Sequence, residues 1–241
     1  MTEIKFPTEE VELPSKGLVY PEDNPLSSGK IEIKYMTAKE EDILSNQAYI
    51  QKGNVLDKLL ESVVVSEVNI KDLILGDKNG VLIATRVLGY GKDYDVTYGG
   101  EEHTIDLSIL DNKKFDESLI TKGKNEFSYT LPHSQTSITF KILDGHDEIK
   151  IERELAGLKK INKTHSPELS TRLKYIITSV NGDSEDKTIR NFVDNYLLAR
   201  DSRALREHIK SVQPDVDLKY VTDSGEEVEV PIALNFFWPD F

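Results

Sequence analysis

Leu56, Leu59, Leu60, Val63 and Val64 follow Lys52-Gly53-Asn54 at helical spacing and predict an amphipathic helix. Just before it, Thr37 with Glu40 three residues on reads as a capping box, opening a helix that runs to about Ile50. A further helical piece starts near Ile70 and is expected to break at Gly76-Asp77. The next, Val81 to Leu88, is apolar almost all round, which predicts burial. Arg86 inside it should then need a carboxylate, with Asp77 and Asp93 as candidates. From about His146 to Val212 helices dominate. Leu173, Ile176, Ile177 and Val180 make one face, and Ile189, Phe192, Val193, Tyr196 and Leu197 a second. Ala204, Leu205, His208 and Ile209 make a third. Pro167 after Ser166 marks a helix start, and Gln213-Pro214 closes the block.

Two-residue alternation marks the strands. Glu10-Val11-Glu12-Leu13 and Lys30-Ile31-Glu32-Ile33-Lys34 predict short strands at either end of a segment punctuated by Pro7, Pro14, Pro21, Pro25, Gly17 and Gly29. That segment is too proline-rich for a helix and reads as an extended arm. Tyr94 to Tyr98, Gly99-Gly100 and His103 to Leu107 predict a β-hairpin. Phe127 to Leu131 and Ser137 to Leu143 add two alternating segments. Val216 to Tyr220, Asp223-Ser224-Gly225 and Val228 to Leu234 predict a second hairpin. The sum is an α+β fold, mainly helical, with short antiparallel hairpins. It divides into an extended N-terminal arm (1–36), a helical block with the first hairpin and a strand-rich segment (37–145), and a helical block with the second hairpin and an aromatic end (146–241). Either one continuous core or two subdomains meeting near residue 145 would fit.

Composition narrows the function classes. The 241 residues carry a net charge of −13, which argues against non-specific binding to nucleic acid or an anionic membrane and favours basic protein partners. The absence of cysteine rules out disulfides and thiolate metal sites. No apolar run approaches a membrane span, and Met1 to Pro7 has no apolar leader core, so a cytoplasmic location is expected.

Catalytic patterns are sparse. The histidines 103, 133, 146, 165 and 208 form no His-Glu-x-x-His or other i, i+4 ligand pair. Asp144-Gly145-His146-Asp147 reads better as a helix cap than as a catalytic base with its carboxylates. Gly76-Asp77-Lys78-Asn79-Gly80 lacks the spacing and closing glutamate of a calcium loop. No enzyme activity, metal or cofactor is expected.

The two ends are the candidate binding elements. Phe236-Phe237-Trp238-Pro239-Asp240-Phe241 would expose a large apolar area in water, so it must dock either on the chain's own core or on a partner. Leu18-Val19-Tyr20-Pro21 in the arm is a second apolar element. Leu18, Tyr20, Phe236, Phe237 and Trp238 are therefore the candidate partner-binding residues. Intramolecular packing of Trp238 against the helix from Ser202 to Val212 is the competing expectation.

Several segments, taken in order, resemble a known family. They are Leu13-Pro14-Ser15-Lys16-Gly17-Leu18-Val19-Tyr20-Pro21, Pro25 to Lys30, Thr37 to Leu44 and Lys52 to Leu60. Leu75 to Gly80, Arg86, Tyr90-Gly91, Asp201-Ser202-Arg203-Ala204-Leu205-Arg206, Pro214 and Phe236-Phe237-Trp238-Pro239 continue the match. Together they resemble the baseplate hub proteins of T4-type contractile-tailed phages. The resemblance implies a non-enzymatic structural or assembly protein whose partners are other hub proteins and the tape-measure protein. It would act in the infected host cytoplasm during tail assembly or in the virion baseplate. Many members of that family carry Cys-x-x-Cys knuckles at the two hairpins, here Tyr98-Gly99-Gly100 and Thr222-Asp223-Ser224-Gly225. Without cysteine, the hairpins here would keep a zinc-ribbon-like shape and must be held by packing. The alternative is an acidic inhibitor or DNA mimic acting on a host nucleic-acid enzyme, which needs carboxylates arrayed like phosphates on one face.

Overall fold

A computed structural model describes residues 7–161, 167–221, 225 and 227–237. Alternation in the first segment becomes a two-stranded antiparallel sheet, β1 (Thr8–Glu12) against β2 (Lys30–Lys34), with Thr8 opposite Lys34 and Glu12 opposite Lys30. Ile31 and Ile33 enter the core. The loop between the strands is not an extended arm. Leu13, Val19, Tyr20 and Leu26 are buried, and the loop folds back on itself where Gly17 meets Gly29. Both glycines have positive φ, and a Cβ on Gly17 would lie 2.5 Å from the Ser27 carbonyl oxygen, so only glycine fits that turn.

Helices α1 (Ala38–Leu44) and α2 (Gln47–Gln51) replace the single helix expected to run to Ile50. The side chain of Asn46 accepts from the N–H groups of Ala48 and Tyr49 and starts a new helix there. The capping box is present: Thr37 donates its N–H and its hydroxyl to Glu40. The stripe of α3 (Val55–Val63) buries Leu59, Leu60 and Val63 as its spacing predicts, together with Val55, whereas Leu56 and Val64 are half-buried.

α4 (Leu75–Tyr90) runs through Gly76-Asp77 without the expected break. Those glycines serve close packing rather than termination. A Cβ on Gly76 would fall 2.0 Å from the Pro214 carbonyl oxygen, and one on Gly80 would fall 2.9 Å from the Pro14 ring. Asp77 does not pair with Arg86. It is fully buried and accepts from Ser15 N–H (2.8 Å), the Ser15 hydroxyl (2.6 Å) and the Tyr20 hydroxyl (2.5 Å). Among the described residues Arg86 has no carboxylate within ion-pair range. Its Nε donates to the Phe236 carbonyl (3.0 Å), Nη1 to that of Gly91 (2.9 Å) and Nη2 to that of Asp93 (3.3 Å). Converging backbone carbonyls can hold a guanidinium in this way without a carboxylate partner.

The first hairpin, β3 (Asp93–Tyr98) and β4 (Glu101–Asp106), turns at Gly99-Gly100, both with positive φ. Its base is held by packing: Tyr94 and Ile105 are buried, and Tyr94 meets the ring of Phe236 at 5.1 Å. β5 (Phe127–Thr130) and β6 (Ser137–Phe140) form a three-stranded antiparallel sheet with β7 (Ile177–Val180). The expected helical face through Val180 therefore ends early. α5 (Gly145–Ile161) is followed by α6 (Glu168–Ile176), after which the β-branched run Ile176-Ile177-Thr178 turns into an extended strand on β6.

α7 (Asp186–Asn195) and α8 (Ala199–Val212) complete the helical part. Asp201, in the first turn of α8, accepts from His133 and Ser134 N–H and fixes the β5–β6 loop. β8 (Lys219–Val221) pairs with β9 (Glu227–Glu229), and a short turn, Leu234–Phe237, ends the described chain.

The fold is α+β, with eight α-helices and antiparallel sheets of two or three strands among the described residues. One hydrophobic core runs from Leu13 to Phe237 and draws on all three sequence segments.

Candidate docking site

The expected anchors are largely committed to this core. Tyr20 is buried, with its hydroxyl donating to Asp77 and accepting from Ile74 N–H at 3.1 Å. Phe236 and Phe237 are fully buried and pack edge to face at 5.4 Å. These three side chains are therefore intramolecular anchors, because their apolar area is already removed from water. Leu18 is half-buried, its carbonyl accepting from Gly123 N–H at 2.8 Å. Trp238, and its expected contact with the helix from Ser202, lie outside the described residues.

An accessible apolar surface exists elsewhere, beside β1. The bonds from Tyr35 N–H to the Pro7 carbonyl (3.3 Å) and from Leu13 N–H to the Gly29 carbonyl (2.8 Å) fix the strand's phase. Odd-numbered residues of β1 bond to β2, so the backbone groups of Thr8, Glu10 and Glu12 point away from it. On its far side β2 is covered: the Glu32 carbonyl accepts from Val65 N–H and Glu32 N–H donates to the Ser66 hydroxyl. Among the described residues nothing pairs with the outward backbone groups of β1.

A groove of ≈ 310 Å³ lies along this region. From β1 it takes Glu9, Val11 and Glu12, and from α4 it takes Gly80, Ile83, Ala84, Val87 and Leu88. Leu107 and Leu110 follow β4, and Val216 follows α8. The i, i+3/i+4 spacing of the α4 residues places them on one helix face. Ala84, Val87 and Leu88 remain half-buried, so the burial expected all round Val81–Leu88 is incomplete here. Asn112 bridges to Val216, which ties the Leu107–Leu110 segment to the C-terminal part of the chain. The charge at the groove is acidic, with Glu9 and Glu12 exposed.

Two other places could hold chemistry. His146 Nε2 lies 2.9 Å from Asp72 Oδ1 and 3.3 Å from Asn69 Nδ2, and Asp72 also accepts from Asn24 at 3.1 Å. This cluster ties the turn at Ile70–Asp72 to the start of α5, where Asp144 caps Asp147 N–H at 2.9 Å as its sequence predicts. A cleft of ≈ 660 Å³ between α3, α4, α5 and α6 is lined by both charge signs. Many of those charges are paired there: Lys78 with Asp57, Lys58 with Glu61, and Arg172 in a two-pronged bond to Glu148 at 2.7 and 2.9 Å.

Among the described residues no cluster of three or more His, Asp and Glu side chains is placed to hold a metal ion, and no helix is long and apolar enough to cross a membrane. The groove was missed at the sequence level because an all-round apolar helix reads as buried. The available signal was that α4 has more apolar positions than one buried face requires. Comparison of the chain with protein-family models, with curated proteins and with solved structures finds no match.

Proposed function

We propose that this chain is a non-enzymatic structural or assembly protein of the baseplate hub of a contractile-tailed phage, binding other hub components or the tape-measure protein during tail assembly in the infected host cytoplasm. The identity of the assembly rests on the ordered sequence resemblance. A docking role is supported by one observation above all: the half-exposed apolar face of α4 lies in a groove beside the unpaired edge of β1. Apolar area of this kind, rimmed by charge, is the usual mark of a protein-binding surface.

Residues that carry the resemblance also interlock. Ser15 and Tyr20 bond to Asp77, Gly76 abuts Pro214, and Arg86 bonds to the Phe236 carbonyl. Their role is to hold the scaffold that presents the groove. The test is pairwise co-purification of the tagged chain with individually expressed hub proteins and with the tape-measure protein from the same phage. Capture of at least one, in a complex that survives gel filtration, is expected. Failure with every hub component and the tape-measure protein, together with capture of a host nucleic-acid enzyme, would replace this reading with the acidic-inhibitor alternative.

A further inference from the structure

We propose that the open edge of β1 is a strand-addition site for an extended partner segment that alternates apolar and basic residues. The inference rests on the docking reading above and names the chemistry of the partner. Three features converge on it.

First, the outward N–H and C=O groups of Thr8, Glu10 and Glu12 form a row at strand spacing, a ready template for backbone pairing. Second, side chains of an added strand would alternate between two faces. On the Glu9 and Val11 side, alternate residues would meet the groove and the half-buried Ala84, Val87 and Leu88. Its volume of ≈ 310 Å³ is at the bottom of the about 300–1,000 Å³ typical of small-molecule pockets, which suits inserted aliphatic side chains. Third, on the opposite face the added residues would lie beside Glu12 and beside Glu10, whose carboxylate Lys30 already holds at 2.5 Å, so Glu12 on that face and the rim formed by Glu9 favour lysine or arginine.

Charge also decides against a second copy as the occupant. Antiparallel pairing of β1 with another β1 would set Glu10 against Glu10 and bring further glutamates alongside, between chains that each carry −13. The ordinary role of such acids is to protect an exposed edge from self-association. Here the same acids admit a basic strand while rejecting an acidic one, which is specificity by repulsion as well as attraction.

The test uses the full chain and three labelled peptides: Lys-Val-Lys-Val-Lys-Val-Lys, its glutamate counterpart, and the lysine peptide with proline at its third and fourth positions, which removes a donor facing β1 in either strand direction. Fluorescence anisotropy at physiological salt should show saturable binding of the lysine peptide. The glutamate and proline peptides should each bind about tenfold more weakly or worse, because one meets like charge and the other loses a backbone donor. Hydrogen exchange should slow at the amides of Glu10 and Glu12. Val87→Asp should weaken binding by about tenfold, and so should the surface double variant Glu9→Lys/Glu12→Lys, whose exposed positions leave the fold intact.

Equal binding of the lysine and proline peptides, undiminished binding to the double variant, or protection confined to other amides would overturn the proposal. So would a dimer whose contact occupies β1. If the double variant still captures the hub or tape-measure protein at full strength, the strand site falls and the hub reading stands. If the peptide results hold but no hub or tape-measure protein is captured, the site stands and the hub reading falls.

Discussion

Replacing Glu40 with glutamine should remove a pH-dependent share of the stability that is centred on one buried carboxylate. The Glu40 side chain is fully buried and accepts from the Ser62 hydroxyl (2.6 Å), the Thr37 hydroxyl (2.7 Å), Thr37 N–H (2.8 Å) and Lys34 Nζ (2.9 Å). Burial pushes the carboxyl pKa up. The bonds from Ser62, Thr37 and Lys34 outweigh it and bring the pKa from 4.5 down to about 2. A carboxyl depressed in this way favours the folded state above the unfolded pKa, and that contribution is lost as pH falls through about 2. The difference corresponds to about 3 kcal/mol at neutral pH.

Glu40→Gln keeps the shape and one acceptor oxygen but discards the charge facing Lys34. Urea melts of both proteins from pH 7 to pH 2 should show a gap of about 3 kcal/mol at pH 7, narrowing steadily below pH 5 and nearly closed at pH 2. At neutral pH this equals a fall in Tm of roughly 6–12 °C for a chain of this size. Other carboxylates titrate in both proteins and largely cancel in the difference. A gap that stays constant down to pH 2, or no gap at pH 7, would refute the reasoning.

Two further substitutions probe the packing around α4. Gly76→Ala would ordinarily stabilise a helix by up to about 1 kcal/mol, yet here the added carbon meets the Pro214 carbonyl at 2.0 Å, so a loss of about 3 kcal/mol or more is expected in thermal melts. Arg86→Lys retains charge but cannot span the carbonyls of Phe236, Gly91 and Asp93, and chemical denaturation should register a loss of about 2–3 kcal/mol.

Local signals were legible in the chain. The stripe of α3, the Thr37–Glu40 box, the Asp144 cap and the Gly99-Gly100 turn each depend on residues a few positions apart, and each is present where its pattern lies. What could not be read depends on distant partners. Gly76 looks like a helix stop until Pro214 is seen against it. Arg86 looks like half of an ion pair until backbone carbonyls from two segments are found around it. Ile177 to Val180 continue a helical spacing, but hydrogen bonding to β6 decides the contest for a strand. The candidate site shows the same division. The alternation of Glu10 to Leu13 marked β1 as a strand, whereas its open edge follows only from knowing that β2 is covered on its other side. The size of Phe236 and Phe237 marks them as important, and size alone does not say whether they face a partner or the chain's own interior.

The contacts that close this molecule also constrain how it can be made. During synthesis the loop around Ser15 leaves the ribosome long before Asp77, its partner 62 residues on. α4 in turn waits for the Asp215 carboxylate, 136 residues beyond Asn79, and for the Phe236 carbonyl, 150 residues beyond Arg86. Loop closure over such separations is slow, and chains that still lack the later partners carry unfilled apolar surface in the meantime. Final consolidation is therefore a late event, triggered when Phe236 and Phe237 arrive. A chain cut short before Phe236 would lose two fully buried rings from the core, and the apolar surface they cover would favour aggregation over a smaller working protein.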